Sequence, residues 1–220
     1  METTRPAATD HHRAPSGAPT AGHGGRGRRW LAMAAGALAA GGALAACSSG
    51  SAKPVAATAA KPPAVTVHEA MVILTGGMVK QSGWPLFVPS DVTVPTGATV
   101  DVTIYNYDDG TAALPPSVAM YGKASGVTGL TEAGQPVTSV SAADVSHTWT
   151  IPTLGLNVPI EAAPAANGGP HKPMVVTFSF KAVKAGTYTW KCFAPCGDGT
   201  DGMGGAMATN GYMQGSFTVA

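Results

Sequence analysis

From Thr99 to Val219 the apolar residues recur at every second position, in short runs broken by Gly and Pro. Thr99–Tyr107 alternates. Val145–Ile151 sets Val145, His147, Trp149 and Ile151 on one face. Met174–Phe180 groups Val176, Phe178 and Phe180, Thr187–Cys192 groups Tyr188, Trp190 and Cys192, and Gly215–Val219 ends the chain. Ala64–Leu74 and Phe87–Val94 read as two earlier strands. Side chains two apart share one face of a strand, so this period is a strand signal. Val94-Pro-Thr-Gly97 and Ala185-Gly186 are turn punctuation. Nothing after residue 46 sustains a helical period. Short alternating strands between Gly/Pro turns predict an all-β fold, a sandwich or barrel. The stretch Pro115–Asp144, rich in Gly, Ser and Thr, reads as a loop insertion with one or two short strands.

The beginning of the chain has a different character. Residues 1–29 are polar and basic and hold all five arginines; residues 30–46 are apolar and small; Leu44-Ala-Ala-Cys47 follows. A basic region, a short apolar region and a small-residue cleavage site form a secretory signal, too short to favour a membrane span. A cysteine at the cleavage point resembles the lipobox of bacterial lipoproteins. That resemblance implies cleavage before Cys47, lipid on its thiol, and attachment to the outer face of the bacterial cell membrane through that lipid. Arg28-Arg29 leaves export by the general or the twin-arginine route open. Residues 47–63, of Ser, Ala, Lys, Pro and Gly character, read as a lipidated flexible tether. Residues 64–220 remain as one domain, long enough for a substantial core.

Charge and cysteine count narrow the function. After Cys47 eight lysines face ten acids, a net charge of −2, with no basic run to neutralise phosphates, so nucleic-acid binding is not expected. Of three cysteines, Cys47 is taken by lipid, which leaves Cys192 and Cys196 in an oxidising compartment. There thiols pair as a disulfide or bind metal. Imidazole, thiolate and thioether together are the soft ligand set that suits copper. His147 lies on the apolar face of one strand and Cys192 at the end of another. Met203 and Met207 follow the cysteines in a glycine-rich loop.

Two motifs resemble a known family. Asp144-Val-Ser-His147-Thr-Trp-Thr-Ile-Pro-Thr-Leu-Gly155 is similar to the first ligand strand of the CuA domain of cytochrome c oxidase subunit II and nitrous oxide reductase. Gly186-Thr-Tyr-Thr-Trp-Lys-Cys192, with Cys196-Gly197 after it, is similar to the second ligand strand and loop. Leu86-Phe-Val-Pro-Ser90 and Val94-Pro-Thr-Gly-Ala-Thr-Val100 resemble early cupredoxin strands. The resemblance implies a cupredoxin-like Greek-key β-sandwich and a copper centre of one or two ions. In the family two bridging thiolates hold a copper pair, each ion with a terminal histidine, and a methionine and a backbone carbonyl bind weakly. Carried onto this chain, His147 is the first histidine, Cys192 and Cys196 are the thiolates, Ala194 supplies the carbonyl and Met203 the methionine. The second histidine position holds Thr200, a poor copper ligand, so Met207 or water is the candidate for that place. A blue-copper site also needs a second histidine, between Cys192 and the methionine, and none stands there. His171 reads as an exposed loop residue, and nothing marks out His68 on an early strand.

The expected function is that of an exported, membrane-anchored copper protein in electron transfer or copper handling, with a redox or copper-accepting protein as partner. A free-standing tethered domain suits a carrier or accessory protein better than a core oxidase subunit. The alternative is a metal-free binding or structural module of the same fold, with a Cys192–Cys196 disulfide, His147 as a core histidine and the methionines as packing. Catalysis is not expected. There is no Ser/His/Asp series, no carboxylate pair in a cleft motif and no phosphate loop. CxxxC is not the CxxC of thiol–disulfide exchange. Asp108-Asp109-Gly110, Asp198 and Asp201 read as turn residues.

Overall fold

The computed structural model describes residues 64–167 and 169–220. The signal segment, Cys47 and the tether lie outside the described residues. Eleven strands follow one another among those described: β1 (Thr66–Leu74), β2 (Leu86–Val88), β3 (Val92–Val94), β4 (Thr99–Asn106), β5 (Thr128–Glu132), β6 (Gln135–Pro136), β7 (Val145–Ile151), β8 (Leu156–Glu161), β9 (Met174–Lys181), β10 (Gly186–Lys191) and β11 (Gln214–Val219). Single 3₁₀ segments stand at Pro116–Gly122, Pro152–Leu154 and Gly205–Ala208.

The strands form two sheets, in the orders β2-β1-β4-β9-β5-β6 and β3-β11-β10-β7-β8. β1 runs parallel to β4 and β3 parallel to β11; the other pairings are antiparallel. This is the expected all-β sandwich of two sheets. In β4, Val100, Val102, Ile104 and Asn106 turn inward, while Asp101, Thr103 and Tyr105 stay outside the core. Beside them in the same sheet, β9 buries Val176, Phe178 and Phe180. The second sheet closes on this layer through Trp149, whose ring lies 5.6 Å from Phe178, 5.9 Å from Phe180 and 6.0 Å from Phe217, centroid to centroid. Aromatic pairs at such separations add to the area they remove from water.

Three details depart from simple alternation. The run read as one strand, Phe87–Val94, is two. β2 joins the first sheet and β3 the second, so the segment through Pro89, Ser90 and Asp91 stitches the sheets together. Ser90 there accepts the Trp190 indole N–H at 2.6 Å, and Asp91 accepts the Ser216 amide and hydroxyl. β7 is buried on both faces, because the insertion packs over the outer one. Thr150 donates to Asn157, whose amide donates to the carbonyls of Tyr121 and Lys123. β8 was not read as a strand, since Asn157 and Pro159 interrupt its apolar run. It is an edge strand, where a missing N–H is tolerated.

Glu132 at the end of β5 is 4% exposed. One carboxylate oxygen accepts the Glu161 amide at 3.2 Å, and the other has no hydrogen-bond partner among the described residues. Burial pushes this carboxyl up to about 7 against the amide that holds it down. The folded state therefore keeps a proton that the unfolded chain gives up near 4.5, and stability falls as pH rises from there through about 7. Glu132→Gln should remove this slope and raise the melting temperature at pH 8. Thermal unfolding of both proteins from pH 4.5 to 8 checks it; parallel curves would refute the assignment.

Candidate metal centre

β7 and β10 lie side by side, paired at Lys191 and Thr150. This brings His147, on the inward face of β7, towards Cys192, one residue past β10. Both are fully buried. A ring nitrogen of His147 and the sulfurs of Cys192 and Cys196 all lie within 4.8 Å of one another; among the described residues this is the one such group of His, Cys, Asp or Glu able to hold a metal ion.

The two histidine nitrogens have different surroundings. Nε2 lies 3.1 Å from Asp108 Oδ2. Nδ1 is buried with no hydrogen-bond partner among the described residues. Phe87 packs edge-on against the ring, at 6.3 Å between centroids. An imidazole with one nitrogen held by a carboxylate and the other vacant in a closed pocket is oriented as metal-ligating histidines are. Asp108 is in turn fixed from the chain around it. Its other oxygen accepts the Gly110 amide at 3.0 Å, its own N–H donates to Asn106 at 3.0 Å, and its carbonyl accepts the Ala163 amide at 2.7 Å. The turn expected at Asp108-Asp109-Gly110 is present, and the carboxylate in it also positions the histidine. Sequence reading missed that second role, because His147 is 39 residues away in the chain.

The sulfurs form a close cluster. Cys192 Sγ and Cys196 Sγ are 3.6 Å apart and unbonded, against about 2.05 Å for a disulfide. Cys196 Sγ lies 3.3 Å from the thioether of Met207, which is completely buried. The Thr148 amide donates to Cys192 Sγ at 3.3 Å, and the Ala194 carbonyl lies 3.6 Å from that sulfur. Burial pushes the Cys192 thiol up, but Cys196, His147 and the Thr148 amide outweigh it and hold Cys192 well below the usual thiol range. The Cys196 thiol is pushed well up by Cys192 and by burial. Burial pulls the His147 imidazole down, but Asp108 and Cys192 outweigh it and push it up to about 9.

The glycine-rich loop explains which methionine arrives. Asp198 and Gly204 pair as a two-residue bridge, with amide-to-carbonyl bonds of 3.2 and 2.7 Å in the two directions. Trp84 donates its indole N–H to Asp198 from the β1–β2 loop. The bridge places Thr200 and Asp201 at an exposed tip and returns the chain so that Gly205–Ala208 carries Met207 inward. Met203 is half-buried on the return limb, packed against the core, with its amide bonded to Asp201 at 3.1 Å. His68 is exposed and paired with Asp101, and His171 is exposed. A Cβ at Gly197 would stand 2.2 Å from the Gly204 carbonyl oxygen and 2.8 Å from Met207 Cγ, so the loop can close only over a glycine.

Neither the protein-family models nor the curated proteins contain a match to this chain. Among solved structures, reduced rusticyanin is 22% identical over 70% of this chain and 79% of its own, with a TM-score of 0.34. Auracyanin A, a "blue" copper protein from the green thermophilic photosynthetic bacterium Chloroflexus aurantiacus, is 16% identical over 70% of this chain and 99% of its own, with a TM-score of 0.32. A chain of a heme-copper terminal oxidase dimer is 17% identical over 61% of this chain, with a TM-score of 0.30; the match spans 56% of that chain, just over half its length.

Gly197→Ala should destabilise the protein by about 1–3 kcal/mol through the overpacked loop. Gly110→Ala, in the exposed turn, has its nearest neighbour 3.2 Å away at the Asp108 carboxylate and should cost less. Urea midpoints of the two variants, measured without metal, decide the comparison; equal midpoints would count against the close approach.

Proposed function

We propose that this chain binds one copper ion through His147 Nδ1, the thiolates of Cys192 and Cys196, and the thioether of Met207, and that it serves in electron transfer or copper handling. The observation that carries the reading is the buried, unpartnered Nδ1 of His147 beside three clustered sulfurs. Two thiolates, one imidazole and one thioether fit Cu(I) in a near-tetrahedral arrangement. A two-copper CuA-type centre fits less well. It needs a second imidazole, and the position where the family has one is Thr200, at the exposed loop tip.

The copper itself supplies one-electron chemistry or a transferable cargo. The protein's part is to hold the donors. Asp108 holds Nε2 of His147 and leaves Nδ1 free for the ion, Thr148 fixes Cys192 by its amide, and the Asp198–Gly204 bridge sets Met207 against Cys196. Attachment to the outer face of the membrane through lipid on Cys47 belongs to the same reading, supported by the sequence of residues 28–50. No described helix is long and apolar enough to cross a membrane.

The test is copper per chain, with the visible spectrum, for the reduced full chain loaded in mild detergent. One ion per chain is expected. His147→Ala and Cys192→Ser should abolish binding. Met207→Leu should weaken it by about 10–100-fold and Asp108→Asn by a similar factor, while Met203→Leu and Thr200→Ala should leave it within about twofold. Full copper retention in His147→Ala would end the proposal. A chain that takes no copper after reduction and re-forms a Cys192–Cys196 disulfide would favour the metal-free module instead.

A further inference from the structure

One face of the domain has a charge opposite to that of the whole. Residues 64–220 carry six lysines and ten acids, with no arginine, a net charge of −4. Four of those lysines, Lys123, Lys181, Lys184 and Lys191, line three grooves joined by shared residues, and no acidic residue lines any of the three. Pro152 is common to the first two grooves, Lys184 to the second and third, and Leu156 to the first and third. The larger two are about 470 and 600 Å³. None of the four lysines forms an ion pair with a described residue.

The centre of this face is apolar. Tyr121 and Phe193 stack at 4.1 Å between centroids and 18° between planes, one ring on the first groove and the other on the second. Met120 and Val183, 67% and 71% exposed, are the two most exposed large hydrophobic side chains of the described residues, and both line these grooves. An apolar centre within a charged rim is the make-up of a protein–protein contact surface. Phe193 is also the residue after Cys192, and its amide donates to Thr148 at 2.9 Å. The surface ring is therefore tied to the strand that carries His147.

We infer that this lysine-rimmed face, centred on Phe193 and Tyr121, is the docking surface for a partner protein with an acidic surface. The charge pattern selects the partner. Complementary charges speed encounter and reject like-charged competitors, and on this face a net-negative domain presents four lysines with no acid among the lining residues. An aromatic stack over shaped grooves fits a protein surface; a membrane surface would need no such relief. Seated here, the partner lies one residue from Cys192. The inference rests on the copper reading for its purpose but not for its test.

The test is calorimetric titration of the reduced, metal-free full chain with poly-L-glutamate at low and at 0.3 M salt. Binding that salt weakens is expected. The variant Lys123→Glu/Lys184→Glu/Lys191→Glu should bind at least about tenfold more weakly. The control Lys80→Glu/Lys172→Glu, a charge change of −4 elsewhere, should stay within about twofold, whereas Lys184→Glu/Lys191→Glu, the same −4 on this face, should weaken binding by at least about fivefold. Circular dichroism confirms that both remain folded, as expected for changes at the surface. No binding, or equal loss in the control, overturns the inference. It is also overturned if the triple variant loses binding to phosphatidylglycerol vesicles while keeping polyglutamate, which would mark a membrane-facing surface, or if its loss is of self-association, which would mark a second copy as occupant. Copper content is measured separately, so failure of either reading leaves the other standing.

Discussion

The contact between Asp108 and His147 decides what the buried imidazole can do. A fully buried ring has two nitrogens to satisfy, and the fold satisfies one. Had a backbone carbonyl taken Nδ1 as well, His147 would be an ordinary core residue. Leaving that nitrogen bare inside a closed pocket costs stability, since a buried polar group without a partner loses its hydration for nothing. The arrangement is intelligible when an ion completes it, and the sulfurs opposite are the atoms to share that ion. The rigid framework is supplied by Phe87 against the ring and by the amides and carbonyl that fix Asp108.

The second constraint is the closeness of the loop. Between Cys196 and Met207 the chain folds back on itself so tightly that side chains at Gly197, Gly202, Gly204 and Gly205 would strike backbone, Pro195 or Asp198. The glycines that look like mere flexibility are what let the Asp198–Gly204 bridge form. That bridge has two consequences at once: Thr200 goes to solvent and Met207 goes inside. The proposed donor set thus depends on loop geometry as much as on which residues are present.

Much of this was legible in the chain. Strands such as β4, β9 and β11 follow from alternation with at most one residue of error, because each presents one face to a single core. β8 escaped because Pro159 reads as a breaker, and only the sheet shows that it sits at an edge. The segment before Val94 read as one strand because alternation carries no record of which sheet a residue joins. At the centre, His147, Cys192 and Cys196 were readable from residue type and spacing. Asp108 was not, since a turn residue and a histidine partner are the same letter until the fold brings them together. Met203 read as the methionine ligand and Met207 as a candidate for the missing histidine's place; that Met207 lies against Cys196 depends on a bridge formed by backbone atoms.

Burial also separates the ways in and out of such a site. His147, Cys192 and Met207 are sealed, whereas Cys196 is half-buried, so an ion exchanging with solvent or with a chaperone would move past Cys196. The lysine face lies on the side of Phe193, next to Cys192. A protein docked there faces a sealed ligand through one aromatic residue, a geometry that gives it no access to the ion itself. It does give it proximity to the sulfur that would share the metal's charge. On the proposed reading, electron exchange would use the docking face and loading of the metal would use the loop of Cys196 and Met207. The two halves of the proposed function would then use different surfaces of one site.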